Sequence, residues 1–157
     1  MKRIFLYLSL IFASGLMLTN IYTSVVDAAS WGSDIPNSIE TARQYYKASN
    51  PGNFFRIFSP VTQLLALLCM LLFWKRSKQV RYLLMAAFVL YVMGESLTFL
   101  YFYPRNDIMF VHEMDLEKVK IAWTEWNTMN WVRTLIAAAG VACSAMALHR
   151  IYEAKGT

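Results

Sequence analysis

Histidine is nearly missing from this chain: there are two in 157 residues, His112 and His149. Both fall outside the middles of the long apolar runs, so a haem held by axial histidines within the membrane is excluded. Cysteine is equally scarce. Cys69 and Cys143 stand singly inside apolar runs, with no C-x-x-C pair to suggest a redox motif or thiolate metal site, and they read as small buried hydrophobes. Charge is thin at 16% of residues. The glycine pattern of a nucleotide-binding loop, the spacing of a Ser-His-Asp site, internal repeats and low-complexity tracts are all lacking. The net charge of +5 raises nucleic acid as a partner. The basic residues, however, flank apolar runs and form no stripe interleaved with aromatics, which argues against it.

What the chain does have is hydrophobic length. Residues of apolar type make up 57% of it, and four runs, about 4–26, 54–74, 82–103 and 123–148, each reach the roughly 20 residues a bilayer crossing needs. The expected fold is all-α, an integral membrane antiparallel four-helix bundle forming one domain over 1–157. The basic linker 75–81 is short enough to make the second and third spans antiparallel neighbours. Two longer polar loops, 27–53 and 104–121, carry stretches that read as short surface helices. One lies at 38–48, capped by Ser38, and the other at 113–120.

Orientation follows from the bias of Lys and Arg. One side carries Lys2, Arg3, Lys75, Arg76, Lys78, Arg81, Arg150 and Lys155 against the single acid Glu153, whereas six basic residues on the other side are diluted by eight acids. Both termini are therefore expected in the cytoplasm, with a bacterial inner membrane as the default location and membrane lipid as the surrounding partner. A cleaved signal peptide is the competing reading of the first run, but the run is long for one and Asp27-Ala28-Ala29 is a poor cleavage site.

Ionisable groups inside hydrocarbon are costly and mark candidate chemistry. Glu95 lies eight residues inside Tyr103 and Arg133 ten inside Trp123, which places both roughly 12 to 15 Å below the outer boundary at 1.5 Å per residue. Matching depth makes a salt bridge or shared network the economical expectation. Asn20 on the first span, and Thr62 with Gln63 on the second, reach the same layer. On the fourth span Trp126, Asn130, Arg133, Ala137, Gly140 and Ser144 recur at steps of three and four and share one face. Two readings follow: a polar pocket in the outer half that takes a hydrophobic small molecule, or polar cross-links that only fix helix register. His112, Glu113, Asp115 and Glu117 suggest a loop metal site less strongly than a solvated acidic helix. A transporter would need an oligomer, since four spans carry no repeat.

The segment from Thr98 through Pro104, Arg105, Asn106 and Asp107, followed by Trp123, Trp126, Asn130, Arg133 and Thr134, resembles the anthrone-oxygenase-like family of small four-span membrane proteins. In that family the third span ends in a T-x(n)-P-x-N pattern and the fourth opens with W-x(n)-N-x-x-R-T. Gly15 and Pro51 fit the remaining layout less specifically, and Glu95 departs from the usual apolar third span. The resemblance implies a four-span fold and, where activity is known, cofactor-free oxidation of an anthrone to an anthraquinone by molecular oxygen. Such a reaction needs a base and donors for the developing enolate. On that implication Glu95 is the base, Arg133, Asn130 and Asn106 the oxyanion donors, and Trp126, Tyr101 and Tyr22 the lining. The alternative is a non-enzymatic membrane protein that binds lipid or a partner through the bundle.

Overall fold

The computed structural model describes residues 2–111 and 113–153. Its helices are α1 (Lys2–Trp31), α2 (Asn37–Tyr45), α3 (Pro51–Leu72), α4 (Lys78–Phe110) and α5 (Leu116–Glu153), with no strand among the described residues. Four of them, all but α2, are long and apolar enough to cross a membrane. The chain is an all-α, multi-pass integral membrane protein. Around the bundle the order is α1, α3, α4, α5, each packing against the next and α5 closing against α1. Ile11, Leu18, Leu64, Val89 and Leu135 stand exposed on the outside, where lipid replaces water as the apolar solvent.

The helices overrun the boundaries read from the sequence. Pro104 was expected to end the third span at Tyr103, yet α4 continues to Phe110. The reason is a π turn over Thr98–Phe102, in which the Tyr103 amide donates to the Thr98 carbonyl. Pro104 then falls in the opening turn of a fresh α-helical segment, where a missing N–H costs little. A second π turn, Thr23–Asp27, lets α1 run on to Trp31. The expected surface helix at 113–120 is not separate, since α5 starts at Leu116. Asp115 caps that start: its Oδ1 accepts from the Lys118 amide at 3.3 Å and its Oδ2 meets Lys118 Nζ at 2.8 Å, which holds its carboxyl below the usual range. Ser38 does not cap α2. It sits inside the first turn and its hydroxyl donates to the Trp31 carbonyl at 2.5 Å.

These overruns build a cap at the end of the bundle away from Lys2 and Glu153. At 1.5 Å per residue the 30 residues of α1 are longer than a hydrocarbon core of about 30 Å requires. The end of α1, the end of α4 and the start of α5 therefore project together with α2. Their contact layer is aromatic: Trp31 meets Trp126 at 5.2 Å and Phe110 at 5.1 Å, and Phe102 meets Trp126 at 5.4 Å, all edge-on. Trp123 Nε1 donates to the Ala28 carbonyl at 2.8 Å, its ring lying where a Cβ on Gly32 would have to be. Arg43 Nε ties α2 to α4 through the Met109 carbonyl at 2.8 Å.

At mid-depth, small residues let the helices close. Ala13, Ala66 and Ala87 are buried together with Tyr91. The Tyr91 ring lies against Gly140 and its hydroxyl pairs with Ser144 Oγ at 3.1 Å. A methyl group at position 140 would collide with that buried ring. Gly140→Ala is therefore expected to lower stability by about 1–3 kcal/mol through overpacking, despite the better helix propensity of alanine. A thermal unfolding scan in detergent checks this, and an unchanged or raised midpoint would show that the Tyr91 contact is soft.

Candidate functional site

Between the aromatic cap and the small-residue layer the bundle encloses a half-open cavity. Its walls come from all four spans: Asn20 and Leu16 on α1, Phe55, Ser59, Thr62 and Gln63 on α3, Tyr91, Gly94, Glu95 and Thr98 on α4, and Arg133 with Ala137 on α5. The cavity holds about 50 Å³, room for a few waters and too little for a fused ring system without movement of the walls.

The α5 face read from the sequence supplies the centre of a buried network. Asn130 is fully buried, and its Nδ2 lies 3.0 Å from the Asn20 carbonyl, 3.2 Å from Thr23 Oγ1 and 2.6 Å from Ser24 Oγ. The π turn in α1 carries both hydroxyls. Asn130 Oδ1 accepts from Arg133 Nη2 at 2.5 Å, and Arg133 Nη1 donates to Thr98 Oγ1 at 3.3 Å. Thr98 opens the π turn of α4, so both irregular turns lie at the polar layer, where such turns commonly mark functional sites. The guanidinium also lies 4.0 Å from the Phe102 ring centroid and 5.3 Å from that of Phe55. Two polar atoms of cavity-lining residues are left without a protein partner, Arg133 Nε and Asn20 Oδ1. Their residues are only 7% and 5% exposed, so the cavity is the place where those atoms can find one.

Glu95 and Arg133 both line the cavity but do not form the contact ion pair expected from their depth. Arg133 is already engaged by Asn130, Thr98 and two rings. The half-buried Glu95 carboxyl instead approaches Ser59 on α3 and feels Arg133 at longer range.

The remaining sequence candidates divide between the cavity and its surroundings. Asn20 and Gln63 line the cavity. Trp126 belongs to the buried cap cluster, with its Nε1 unpartnered. Tyr101 lies under the Arg105 guanidinium at 3.4 Å, and Arg105 pairs with Glu125 at 2.8 Å. Tyr22 is 56% exposed on the outer surface of the bundle. Asn106 is half-buried in α4 above the cavity and does not join Asn130 and Arg133. Asn106 is thus not among the residues that line the cavity. His112, named with the acidic loop, lies outside the described residues. Phe55, Ser59 and Tyr91 were missed as lining. The signal was present in the steps of three and four that join Phe55, Ser59 and Thr62, and Tyr91, Glu95 and Thr98.

The fold and cavity define a class: a small four-span membrane protein with an ionisable polar site buried in the bundle. The sequence profile of the anthrone oxygenase family matches residues 53–143, more than half the chain, and the chain belongs to that family. The match takes in α3, α4 and α5 as far as Cys143, and hence Gln63, Glu95, Asn130 and Arg133. No curated protein and no solved structure matches the chain significantly.

Proposed function

We propose that this protein is an enzyme of the anthrone oxygenase type, acting on a hydrophobic aromatic substrate in the outer half of the bilayer. The observation that carries the reading is the cavity itself, where a carboxylate and a guanidinium face one space without a contact ion pair between them, and two buried polar atoms lack partners. In such a site the Glu95 carboxylate takes a proton from a ring methylene, and Arg133 holds the enolate oxygen that forms. Addition of O₂ at the carbanion carbon and return of the proton give a hydroperoxide, which loses water to leave a carbonyl. One methylene and one O₂ become one carbonyl and one H₂O, so atoms and electrons balance without a further reductant. The test is oxygen uptake and quinone absorbance with purified protein and anthrone. Acceleration over protein-free vesicles supports the reading, and rates equal to the spontaneous oxidation would sink it.

A lipid-binding protein is the second reading, favoured by an apolar groove of about 460 Å³ on the outside of α4 and α5, lined among others by Phe88, Val92, Met93, Leu97, Leu100 and Met129. Co-purified lipid with no anthrone turnover would favour it.

The proposal also takes the chain as a single domain in a bacterial inner membrane, with both termini cytoplasmic and the cap outside. Reporter fusions after Lys78 should then read cytoplasmic and those near Ser38 external. A cytoplasmic reading at Ser38 would invert the arrangement.

A further inference from the structure

A buried site in a membrane protein needs an entrance, and the packing leaves few. The outer end of the cavity is sealed by Trp126, Trp31 and Phe102, and the inner end by Tyr91 against Gly140 and Ser144. Asn130 laces α5 to α1, and the Arg133 bond to Thr98 laces α5 to α4. The α1–α3 seam is covered by Phe12 on Phe58, with ring centroids 5.8 Å apart.

The α3–α4 seam is different. These two helices pack together least closely of the four neighbouring pairs, and no ring pair spans them among the described residues. Glu95, Gly94 and Gln63 are half-buried along it, and a Cβ built on Gly94 would meet nothing within 4 Å. Pro60 lies inside α3 at the depth of the cavity, next to the lining residue Ser59. Having no N–H, it leaves the Arg56 carbonyl without its helical donor and weakens the helix at that turn. The arm before it, residues 51–59, has no substantial contact with the cap helices.

We infer that the cavity is entered sideways, from the hydrocarbon of the outer leaflet, through the seam between α3 and α4, with the arm 51–59 swinging at Pro60. The occupant is a flat, lipid-soluble molecule whose single polar group passes Gly94 and reaches Glu95 and Arg133. Opening lifts Phe55 from the Arg133 guanidinium, exposing the unpartnered Nε to the arriving oxygen. The ring body stays in the seam and in lipid, which reconciles a fused-ring ligand with so small a cavity. This rests on reading the cavity as a substrate site.

The test places a nitroxide at Gly94→Cys, with Cys69→Ala and Cys143→Ala, in phospholipid vesicles. Collisions with molecular oxygen, which concentrates in hydrocarbon, should far exceed those with a water-soluble nickel chelate. Dominant collisions with the chelate would mean an aqueous entrance and overturn the inference. In the native cysteine background Gly94→Leu should plug the seam and reduce anthrone turnover several-fold. Gly15→Leu, also in open space but away from the cavity, should leave turnover unchanged. Equal turnover in wild type and Gly94→Leu removes the portal and leaves the enzyme reading standing. A hydrocarbon-exposed label in a protein that turns over no anthrone removes the enzyme reading and leaves the portal.

Discussion

Asn130→Ala is expected to destabilise the bundle by about 2–4 kcal/mol, since interhelical hydrogen bonds in membranes contribute about 0.6–1.7 kcal/mol each and this residue gathers several. Its amide nitrogen has the Asn20 carbonyl, Thr23 and Ser24 as acceptors, and its oxygen holds Arg133. Truncation strands these groups in a layer with no bulk water to take them up, and an unsatisfied buried polar group costs about 1–3 kcal/mol. From sequence alone, Asn130 and Asn106 look alike as wall residues of a wet cavity, and both would tolerate alanine. The structure separates them. Asn106 is half-buried and outside the network, so Asn106→Ala should change stability by less than about 0.5 kcal/mol. Thermal unfolding of the two variants in the same detergent decides the matter. Equal, small effects would mean that the network is loose and Asn130 faces the cavity.

This contrast marks where sequence reading stops. Span number and the buried face of α5 follow from hydropathy and from steps of three and four, because a helix in lipid has little freedom in either. The site's depth was legible too, since rise per residue is fixed and Glu95, Arg133, Asn20 and Gln63 all reach one cavity. What was not legible is rotation. A π turn inserts one residue and re-aims everything after it, and neither Thr23–Asp27 nor Thr98–Phe102 carries a composition that announces it. Tyr101 and Asn106, both beyond the first residue of the α4 turn, are not among the residues that line the cavity, and Tyr101 packs against the cap cluster instead. Trp126, read as cavity lining, instead packs in the cap with Trp31 and Phe102. The cap that receives it exists only because α1 and α4 continue past their π turns, and Pro104 read as a stop conceals this.

Glu95→Gln should leave the fold intact and remove the activity, provided the proposed chemistry is right. The stability half follows from geometry: Glu95 is half-buried and makes no contact ion pair with Arg133, so an isosteric amide keeps the approach to Ser59 and strands no charge that was directly paired. A tightly bridged pair would behave otherwise, losing about 3–5 kcal/mol when one partner is removed. The Glu95→Gln, Arg133→Gln and double-variant cycle should accordingly show little coupling in stability. Arg133→Gln alone should be the costlier single change, because Asn130 and Thr98 lose their donor. For turnover the order reverses in meaning. A positioned general base contributes typically about 10²–10⁴-fold, and glutamine cannot accept the methylene proton, so Glu95→Gln should lose a factor of that size while still binding the aromatic compound. Glu95→Asp, which keeps the carboxylate on a shorter stem, should recover part of the rate without changing the unfolding midpoint. That partial rescue is the discriminating signal, since a carboxyl serving only to fix helix register has no reason to restore oxygen uptake. Strong stability coupling with Arg133, together with unchanged oxygen uptake in Glu95→Gln, would instead make the pair a structural tie.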